Sequence, residues 1–266
     1  MAETKYRYEE LSWPEIKEAA AAGTVVLLPF AAIEDHGYHL PVGTDAILAR
    51  SYCYEAAKRA PGEILVLPPL PYGLDDHHMD FPGPICVPYD ILIKLVGSVA
   101  VSAARHGFKK IIIVNGHGSN APIADLAARN ATLESDSLVA SVSSPFALAK
   151  GAIKEHRKSE PGGIAHAGEC ETAIMLHLKP DLVAMDKAVK ETGQFVCKYF
   201  SWDHPTERIY SIREWWSRLT KSGVCGDPTV ATEEFGKLCF DKAVETLLEI
   251  VREFRELPIR ERTDYH

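Results

Sequence analysis

Short apolar segments rich in β-branched residues alternate with amphipathic segments along the chain, and this alternation restricts the possible folds. The apolar segments predict strands at 24–30, 64–70, 109–116 and 137–144. The amphipathic segments predict helices at 44–59, 89–107 and 121–134, and Asn120 is expected to cap the last one. Strands and helices in this order form right-handed βαβ units, so we expect a mostly parallel sheet with helices on both faces.

The length and charge of the chain narrow its class further. None of its 266 residues forms a low-complexity tract, linker or internal repeat, so we predict one domain over residues 1–266. A net charge of −8 disfavours nucleic acids and anionic membranes as main partners, since both attract basic surfaces. No apolar run is long enough to span a bilayer, and the six cysteines form no C-x-x-C pair. We therefore expect a cytoplasmic protein with reduced thiols.

Polar clusters follow two of the predicted strands. The segment IEDHGYHLPVGTD (33–45) comes after the strand at 24–30, and NGHGSN (115–120) comes at the end of the strand at 109–116. Ligand sites in parallel α/β sheets lie at the carboxyl ends of the strands. These two segments, which are far apart in sequence, are therefore predicted to converge on one site.

The residues of the first segment suit a pair of metal ions. Glu34 and His36 are two positions apart, so on an extended chain their side chains point to the same side. Asp45 begins the next helix and could bridge two ions, while His117 lies between two glycines. Oxygen and imidazole ligands without thiolates suit zinc, manganese, iron or magnesium, and paired metals are common in hydrolases. A hydrogen-bond network without metal is the alternative interpretation.

A third polar cluster is HAGECETAIML (166–176), in which two glutamates precede a short apolar helix. Acidic residues in a first helical turn also serve as ordinary capping residues, so this cluster alone does not establish a ligand. Asp35 and His39 are expected to be solvated or hydrogen-bonded loop residues.

Five segments in order resemble the signatures of the creatininase (creatinine amidohydrolase) family. They run from about residue 25 to residue 232 and read LPFAAIEDHGYHLPVGTD, YGLDDHHMDFPG, NGHGSN, HAGECETAIML and GVCGDPTVAT. The resemblance implies a single three-layer α/β/α domain, a homo-oligomer in the form of a hexamer, and two divalent metal ions per chain, which are Zn, Mn or Fe. It also implies hydrolysis of the C–N bond of a small-molecule amide substrate by a metal-bridging hydroxide.

The resemblance assigns roles to individual residues. It implies that Glu34 binds one metal, His36 binds the other, Asp45 bridges them and His117 completes the first site. His166 matches the catalytic histidine of the family and is predicted to donate a proton to the leaving nitrogen, because an imidazole titrates near neutral pH.

One family ligand is missing from its usual position. Creatininase itself has a glutamate two places after the metal-binding histidine that matches His117 in NGHGSN. This chain has Ser119 at that position. We predict that Glu169 replaces that ligand and that Glu171 lies just outside the ligand shell; which of the two glutamates is the fifth ligand is left open by the sequence. Asp75, His78 and Ser119 are predicted beside the ligands or in the substrate pocket, and His77 at the surface.

The substrate pocket departs from that of creatininase. Creatininase has a Tyr after the metal-binding His, a Trp before the catalytic His and a Ser in the Y-G-x-S loop, where this chain has Gly118, EPGGIA (160–165) and Asp75. We therefore predict that creatinine is a poor substrate and that the negative Asp75 favours a cationic or hydrogen-bond-donating one. Tryptophans at 202, 215 and 216 are predicted to form a subunit contact rather than a pocket wall. A non-catalytic, metal-stabilised oligomeric ligand-binding protein is the alternative function.

Overall fold

A computed structural model of the chain describes residues 5–192, 197–201, 203 and 212–266. The helices found there are α1 Trp13–Ala21, α2 Thr44–Arg59, α3 Tyr89–Arg105, α4 Ala121–Glu134, α5 Pro145–Leu148, α6 Lys150–His156, α7 Glu169–Leu178, α8 Trp216–Leu219 and α9 Glu233–Glu256. The strands are β1 Val25–Phe30, β2 Ile64–Val66, β3 Lys110–Asn115, β4 Leu138–Val142, β5 Ile164–His166 and β6 Cys225–Gly226. In these described ranges no helix is both long and apolar enough to cross a membrane.

The central sheet contains four parallel strands in the order β2-β1-β3-β4. Strand β1 lies inside the sheet, where Leu27 is in register with Val66 on one side and Ile112 on the other. The predicted strand at 64–70 ends early, at Val66, because the prolines at 68 and 69 have no N–H to donate. Strands β5 and β6, whose pairing the sequence does not predict, form a separate antiparallel pair.

Both faces of the sheet are covered, so the predicted three-layer α/β/α fold is confirmed. Every residue of β1 and β3 is buried, and successive side chains point to opposite faces. Val25 and Leu27 pack into a core shared with α2, α7 and α9, whereas Val26 and Leu28 pack into a second core with α1, α3 and α4.

The loop side chain of Asn120 holds the strand ends together. It precedes α4 as predicted but makes no capping hydrogen bond. Its amide oxygen instead accepts from the Leu74 N–H at 2.9 Å, and its amide nitrogen donates to the Ala31 carbonyl at 2.9 Å. Asn120 therefore connects the loops after β1, β2 and β3, which carry the polar clusters.

Candidate metal centre

The polar clusters predicted from the sequence converge at the carboxyl end of the parallel sheet. The loop after β1 carries Glu34 and His36, the first turn of α2 carries Asp45, the segment after β3 carries His117, and α7 carries Glu171. All five side chains are buried. Because these residues come from four separate parts of the chain, the packing of the sheet and its helices determines the geometry of the centre.

A glycine allows two of these parts to meet. A Cβ atom at Gly116 would lie 2.8 Å from the Cβ of Ala49 and 2.9 Å from the Asp45 carbonyl oxygen. Both distances are shorter than normal van der Waals contacts, so only glycine lets the end of β3 approach α2 this closely. Gly116 thereby brings His117 next to Asp45.

The five side chains form two groups that share Asp45. In the first group, Nδ1 of His117 lies 3.1 Å from Oε1 of Glu34 and 3.1 Å from Oδ2 of Asp45. In the second group, Nε2 of His36 lies 3.4 Å from Oδ1 of Asp45 and 3.8 Å from Oε2 of Glu171. The ligand atoms of each group lie within 4.8 Å of one another, a spacing that can hold a metal ion. One carboxylate oxygen of Asp45 faces each group, as a bridging ligand requires.

Burial and charge make this centre unfavourable without cations. Burial raises the pKa of Glu34 well above its usual value and that of Glu171 to about 7. Burial lowers the pKa of His36, but Asp45, Glu171 and Glu34 outweigh it and raise that pKa to about 10. In the described part of the chain, no well-oriented hydrogen bond reaches Nε2 of His36 or Oε2 of Glu34. Carboxylate oxygens and imidazole nitrogens without hydrogen-bond partners are the ligand types that divalent zinc or manganese prefers.

The structure places the side chain of Glu169, which the sequence predicts as a metal ligand, away from the centre. Its buried carboxylate accepts hydrogen bonds from the backbone N–H groups of Lys158 at 2.8 Å and Ser159 at 2.9 Å. Glu171, two residues later in α7, faces His36 and also accepts from the Ala167 N–H at 2.6 Å. Glu169 therefore fixes the loop before β5, and Glu171 is the glutamate at the centre.

His166, at the end of β5, points into the same centre. Its Nε2 lies 2.8 Å from the backbone oxygen of Asp35, and its Nδ1 lies 3.7 Å from Oε1 of Glu34. Because a carbonyl only accepts hydrogen bonds, Nε2 carries the proton and Nδ1 has its lone pair directed at the centre. Burial lowers the pKa of His166 well below its usual value, so the resting ring is neutral. Ala167 has a φ of 49°, a conformation that turns the chain sharply from His166 into α7.

Asp35 and His78 form a buried pair behind this histidine. Nδ1 of His78 donates to Oδ1 of Asp35 at 2.6 Å, and Nε2 lies 3.2 Å from Oε2 of Glu34. Asp35 is thus a buried partner rather than the solvated loop residue that is one expectation from the sequence. His39 is also buried, with Nε2 2.8 Å from the Thr172 hydroxyl.

The centre opens into a small cavity of about 270 Å³. Besides Glu34, Asp45, His117, His166 and Glu171, its lining includes His77, His78, Ser119, Ser143, Phe146, Arg213 and Trp216. His77 was predicted at the surface, but its side chain is only 15% exposed. Asp75, predicted beside the ligands or in the pocket, lies outside this lining and is fully buried.

Trp216 forms part of the cavity wall, so the prediction of a subunit contact is wrong for this residue. Its ring stacks on His78 at 4.7 Å and meets His166 edge-on at 5.1 Å. Its indole nitrogen donates to the Gly223 carbonyl at 3.2 Å. Trp215 is 45% exposed beside the cavity, and Trp202 lies outside the described residues. The cavity therefore has an aromatic wall, which the sequence did not predict.

The fold and the centre define a class, an α/β/α protein with a buried carboxylate–imidazole centre suited to two divalent cations. The profile of the creatininase family (Creatinine amidohydrolase) matches residues 9–251. The chain belongs to this family, as its sequence motifs predict, and the predicted enzyme class, a hydrolase acting on amide C–N bonds, is confirmed with it.

Its relatives have several activities. The chain is 28% identical to the creatinine amidohydrolase of Pseudomonas putida, an alignment covering 92% of this chain and 95% of that one. It is 30% identical to the mycofactocin precursor peptide peptidase of Mycolicibacterium smegmatis, with 83% and 81% covered. Among solved structures, a manganese creatininase superposes with a TM-score of 0.80 at 27% identity, covering 94% of this chain and 98% of that one. A creatininase variant of Zn–Zn type has the same score, identity and coverage.

Proposed function

We propose that this protein hydrolyses the C–N bond of a small amide at a centre of two divalent metal ions. The observation that carries the proposal is the position of Asp45, whose two carboxylate oxygens face two separate ligand groups at the base of a cavity. Glu34 and His117 would complete one metal site, and His36 and Glu171 the other. When bound, two such ions would lower the pKa of water and polarise the substrate carbonyl.

The chain itself supplies the proton transfer. The Asp35 carbonyl holds His166 so that the lone pair of Nδ1 is directed toward Glu34 and the centre. We propose that Nδ1 takes the proton released by the attacking water and passes it to the leaving nitrogen. This modifies the role predicted from the sequence, because a neutral imidazole accepts a proton before it donates one. Trp216 packs edge-on against His166 and limits the movement of its ring.

The cavity favours a small and partly flat substrate. A volume of about 270 Å³ lies just below the usual range of about 300–1,000 Å³ for ligand sites. Trp216 and Phe146 provide apolar surface, Ser119 and Ser143 provide hydroxyl groups, and Arg213 can donate to an acceptor on the substrate. Because Asp75 does not line the cavity, it gives no direct preference for a cationic substrate. The prediction that creatinine is a poor substrate rests partly on missing aromatic residues. The aromatic wall formed by Trp216 weakens that part of the prediction.

The function can be tested by reconstitution. Metal-free protein would be loaded with Zn²⁺ or Mn²⁺ and assayed against creatinine and other lactams, formamides and short peptides, with product detected by mass spectrometry. We expect metal-dependent hydrolysis of at least one class, abolished in Asp45→Asn. Protein that loads no metal would refute the metal centre. Loaded protein that binds substrates of the panel without hydrolysing any would favour the non-catalytic alternative. The homohexamer and the cytoplasmic location remain predictions.

A further inference from the structure

A second cavity adjoins the first cavity, which lies at the metal centre. It has a volume of about 520 Å³, and three of its lining residues, His77, Ser119 and Arg213, also line the first cavity. Oγ of Ser119 lies 3.3 Å from Nε2 of His77, so these two side chains are in contact where the cavities meet. Together the two volumes lie inside the usual range for ligand sites, which the first cavity alone does not reach.

The first cavity has free space close to this boundary. Gly118 lines it between His117 and Ser119, and a Cβ atom added to Gly118 would meet nothing within 4 Å among the described residues beyond its chain neighbours. Creatininase has a tyrosine at this position. The glycine of this chain therefore leaves room for a ligand beside Ser119, on the side where the second cavity begins.

One short segment of the chain contributes to the walls of both cavities. Trp216 forms the aromatic wall of the first cavity, and the preceding residue, Trp215, is 45% exposed and lines the second. Arg213, two residues earlier, lines both cavities. The segment thus provides each cavity with an aromatic surface and places a positive charge at their boundary.

The guanidinium of Arg213 has N–H groups available to a ligand. Within the described part of the chain it forms no ion pair, and its Nη1 donates to the carbonyl of its neighbour Ile212 at 3.2 Å. Arg218, which also lines the second cavity, differs because its Nη1 lies 2.9 Å from Oε1 of Glu214. Asp76 lines this cavity too, but its side chain is 73% exposed, so solvent screens its charge. A guanidinium presents its donors in a planar fork that matches a carboxylate or a phosphate.

We infer that the substrate is an amide that extends from the metal centre into the second cavity and carries an anionic group, a carboxylate or a phosphate, at Arg213. The amide bond to be cleaved would lie in the first cavity beside His166, and an apolar part of the substrate would lie against Trp215. The inference rests on the proposed function and names a substrate class for it. It is opposite to the cationic substrate that the sequence predicts from Asp75.

Matched ligands test the contribution of the anionic group. Metal-loaded protein would be titrated calorimetrically with N-acetylphenylalanine, its neutral carboxamide, N-acetyl-O-phosphotyramine and the shorter acid N-acetylglycine, and hydrolysis of the same compounds would be measured in parallel. The variants are Arg213→Gln and Trp215→Ala. Arg129→Gln is the matched control, because Arg129 is exposed on α4 and lines neither cavity.

We expect wild type and Arg129→Gln to bind N-acetylphenylalanine or N-acetyl-O-phosphotyramine about 10-fold or more tightly than the carboxamide, as a hydrogen bond between charged groups implies. The tighter of the two anionic compounds identifies a carboxylate or a phosphate as the preferred group. Arg213→Gln should lose this preference and keep its affinity for the carboxamide. Trp215→Ala should weaken the binding of N-acetylphenylalanine by up to about 10-fold and leave that of N-acetylglycine unchanged, because only the former has a ring to pack on the indole.

Three results would overturn the inference while leaving the proposed function intact. The first is a wild-type protein that binds the anionic compounds no better than the carboxamide, or binds none of them. The second is a preference for anions that survives in Arg213→Gln, which would mean that the metal ions bind the acid. The third is a Trp215→Ala protein with a changed oligomer size and unchanged affinities, which would place Trp215 in a subunit contact. Binding that depends on Arg213, without metal-dependent hydrolysis of any amide, would instead refute the proposed function.

Discussion

Two glutamates in one helical turn should respond in opposite ways to the same substitution. Glu169 and Glu171 are both buried and both lie in the first turn of α7. Glu169 binds two backbone N–H groups of the preceding loop, whereas Glu171 faces His36 and the shared Asp45. We predict that Glu169→Gln weakens the fold and leaves the metals in place, and that Glu171→Gln removes metal from a protein that stays folded.

The loss of stability expected for Glu169→Gln follows from the hydrogen bonds of Glu169. A hydrogen bond to a charged group contributes about 1.5–3 kcal/mol to the free energy of unfolding. The side-chain amide of glutamine has one oxygen, so it can replace only one of the two carboxylate oxygens that accept these hydrogen bonds. Its NH₂ group would also face the other backbone donor. We therefore expect the free energy of unfolding to fall by about 3 kcal/mol, which lowers the melting temperature of a chain of this size by roughly 6–12 °C. For Glu171→Gln we expect metal affinity to fall by more than about 10-fold.

Calorimetric melting at fixed free Mn²⁺ and metal analysis of the same samples measure both effects. Glu160→Gln is the control, since Glu160 is exposed in the same region and contributes only its backbone carbonyl to a side-chain contact. Loss of metal in Glu169→Gln, together with retention of two ions in Glu171→Gln, would show that our assignment of the two residues is reversed.

Three further outcomes follow from the geometry of the cavity. His166→Ala should keep both metals and lose about 10²–10⁴ in turnover, and steady-state rates with metal analysis check this; a metal-free variant would make His166 a ligand instead. Trp216→Ala should raise KM for flat substrates by up to about 10-fold with little change in kcat, because an aromatic contact contributes about 0.5–1.5 kcal/mol beyond its buried area; a fall in kcat alone would contradict this. Burial raises the pKa of Glu171 from 4.5 to about 7, and a folded-state pKa above the unfolded value means that this contribution to stability is lost as pH rises through about 7. Metal-free wild type should therefore lose stability relative to metal-free Glu171→Gln between pH 5 and pH 8, as scanning calorimetry of both proteins at both pH values would show. The comparison with the variant is needed because burial lowers the pKa values of His78 and His166, and these histidines change stability in the opposite direction.

Local sequence patterns were sufficient to predict the main sheet and its helices. The residues KKIIIVNG (109–116) have the β-branched, uninterrupted apolar character of a strand buried on both faces, and they form β3. The segments at 44–59 and 121–134 form α2 and α4 with the predicted boundaries. Such patterns arise from the backbone period of each element, so a few neighbouring residues are enough to identify them.

The choice between Glu169 and Glu171 could not be made from local pattern. Successive residues of an α-helix are about 100° apart, so two residues in alternate positions point about 200° apart around the axis. Only one of these glutamates can face the centre, and the direction in which the chain enters α7 decides which one. That direction depends on the positive φ of Ala167 and on the pairing of β5 with β6, neither of which the sequence predicts.

Residues whose partners are distant in sequence were also missed. Asp35 is buried because His78, in another loop, donates to it. Trp216, the first residue of the short helix α8, lies in the cavity wall because its ring stacks on His78, which is far away in sequence. In both cases the burial depends on tertiary contacts, which cannot be predicted from the spacing of neighbouring residues in the sequence.

The composition of the centre couples metal binding to the stability of the whole chain. Glu34, Asp45, Asp75 and Glu171 are buried together, and burial is the largest cause raising the pKa of Glu34, Asp75 and Glu171. Without metal, burial disfavours the ionised forms of these carboxylates, which opposes folding at neutral pH; in the proposed centre, bound metal would offset their negative charge. A ligand that binds only the folded state stabilises it by about 4 kcal/mol at a concentration of 1,000 times its Kd. A variant that loses activity because the fold is weaker and one that loses activity because metal is absent will therefore look alike unless stability is measured in both the metal-free and the metal-loaded state.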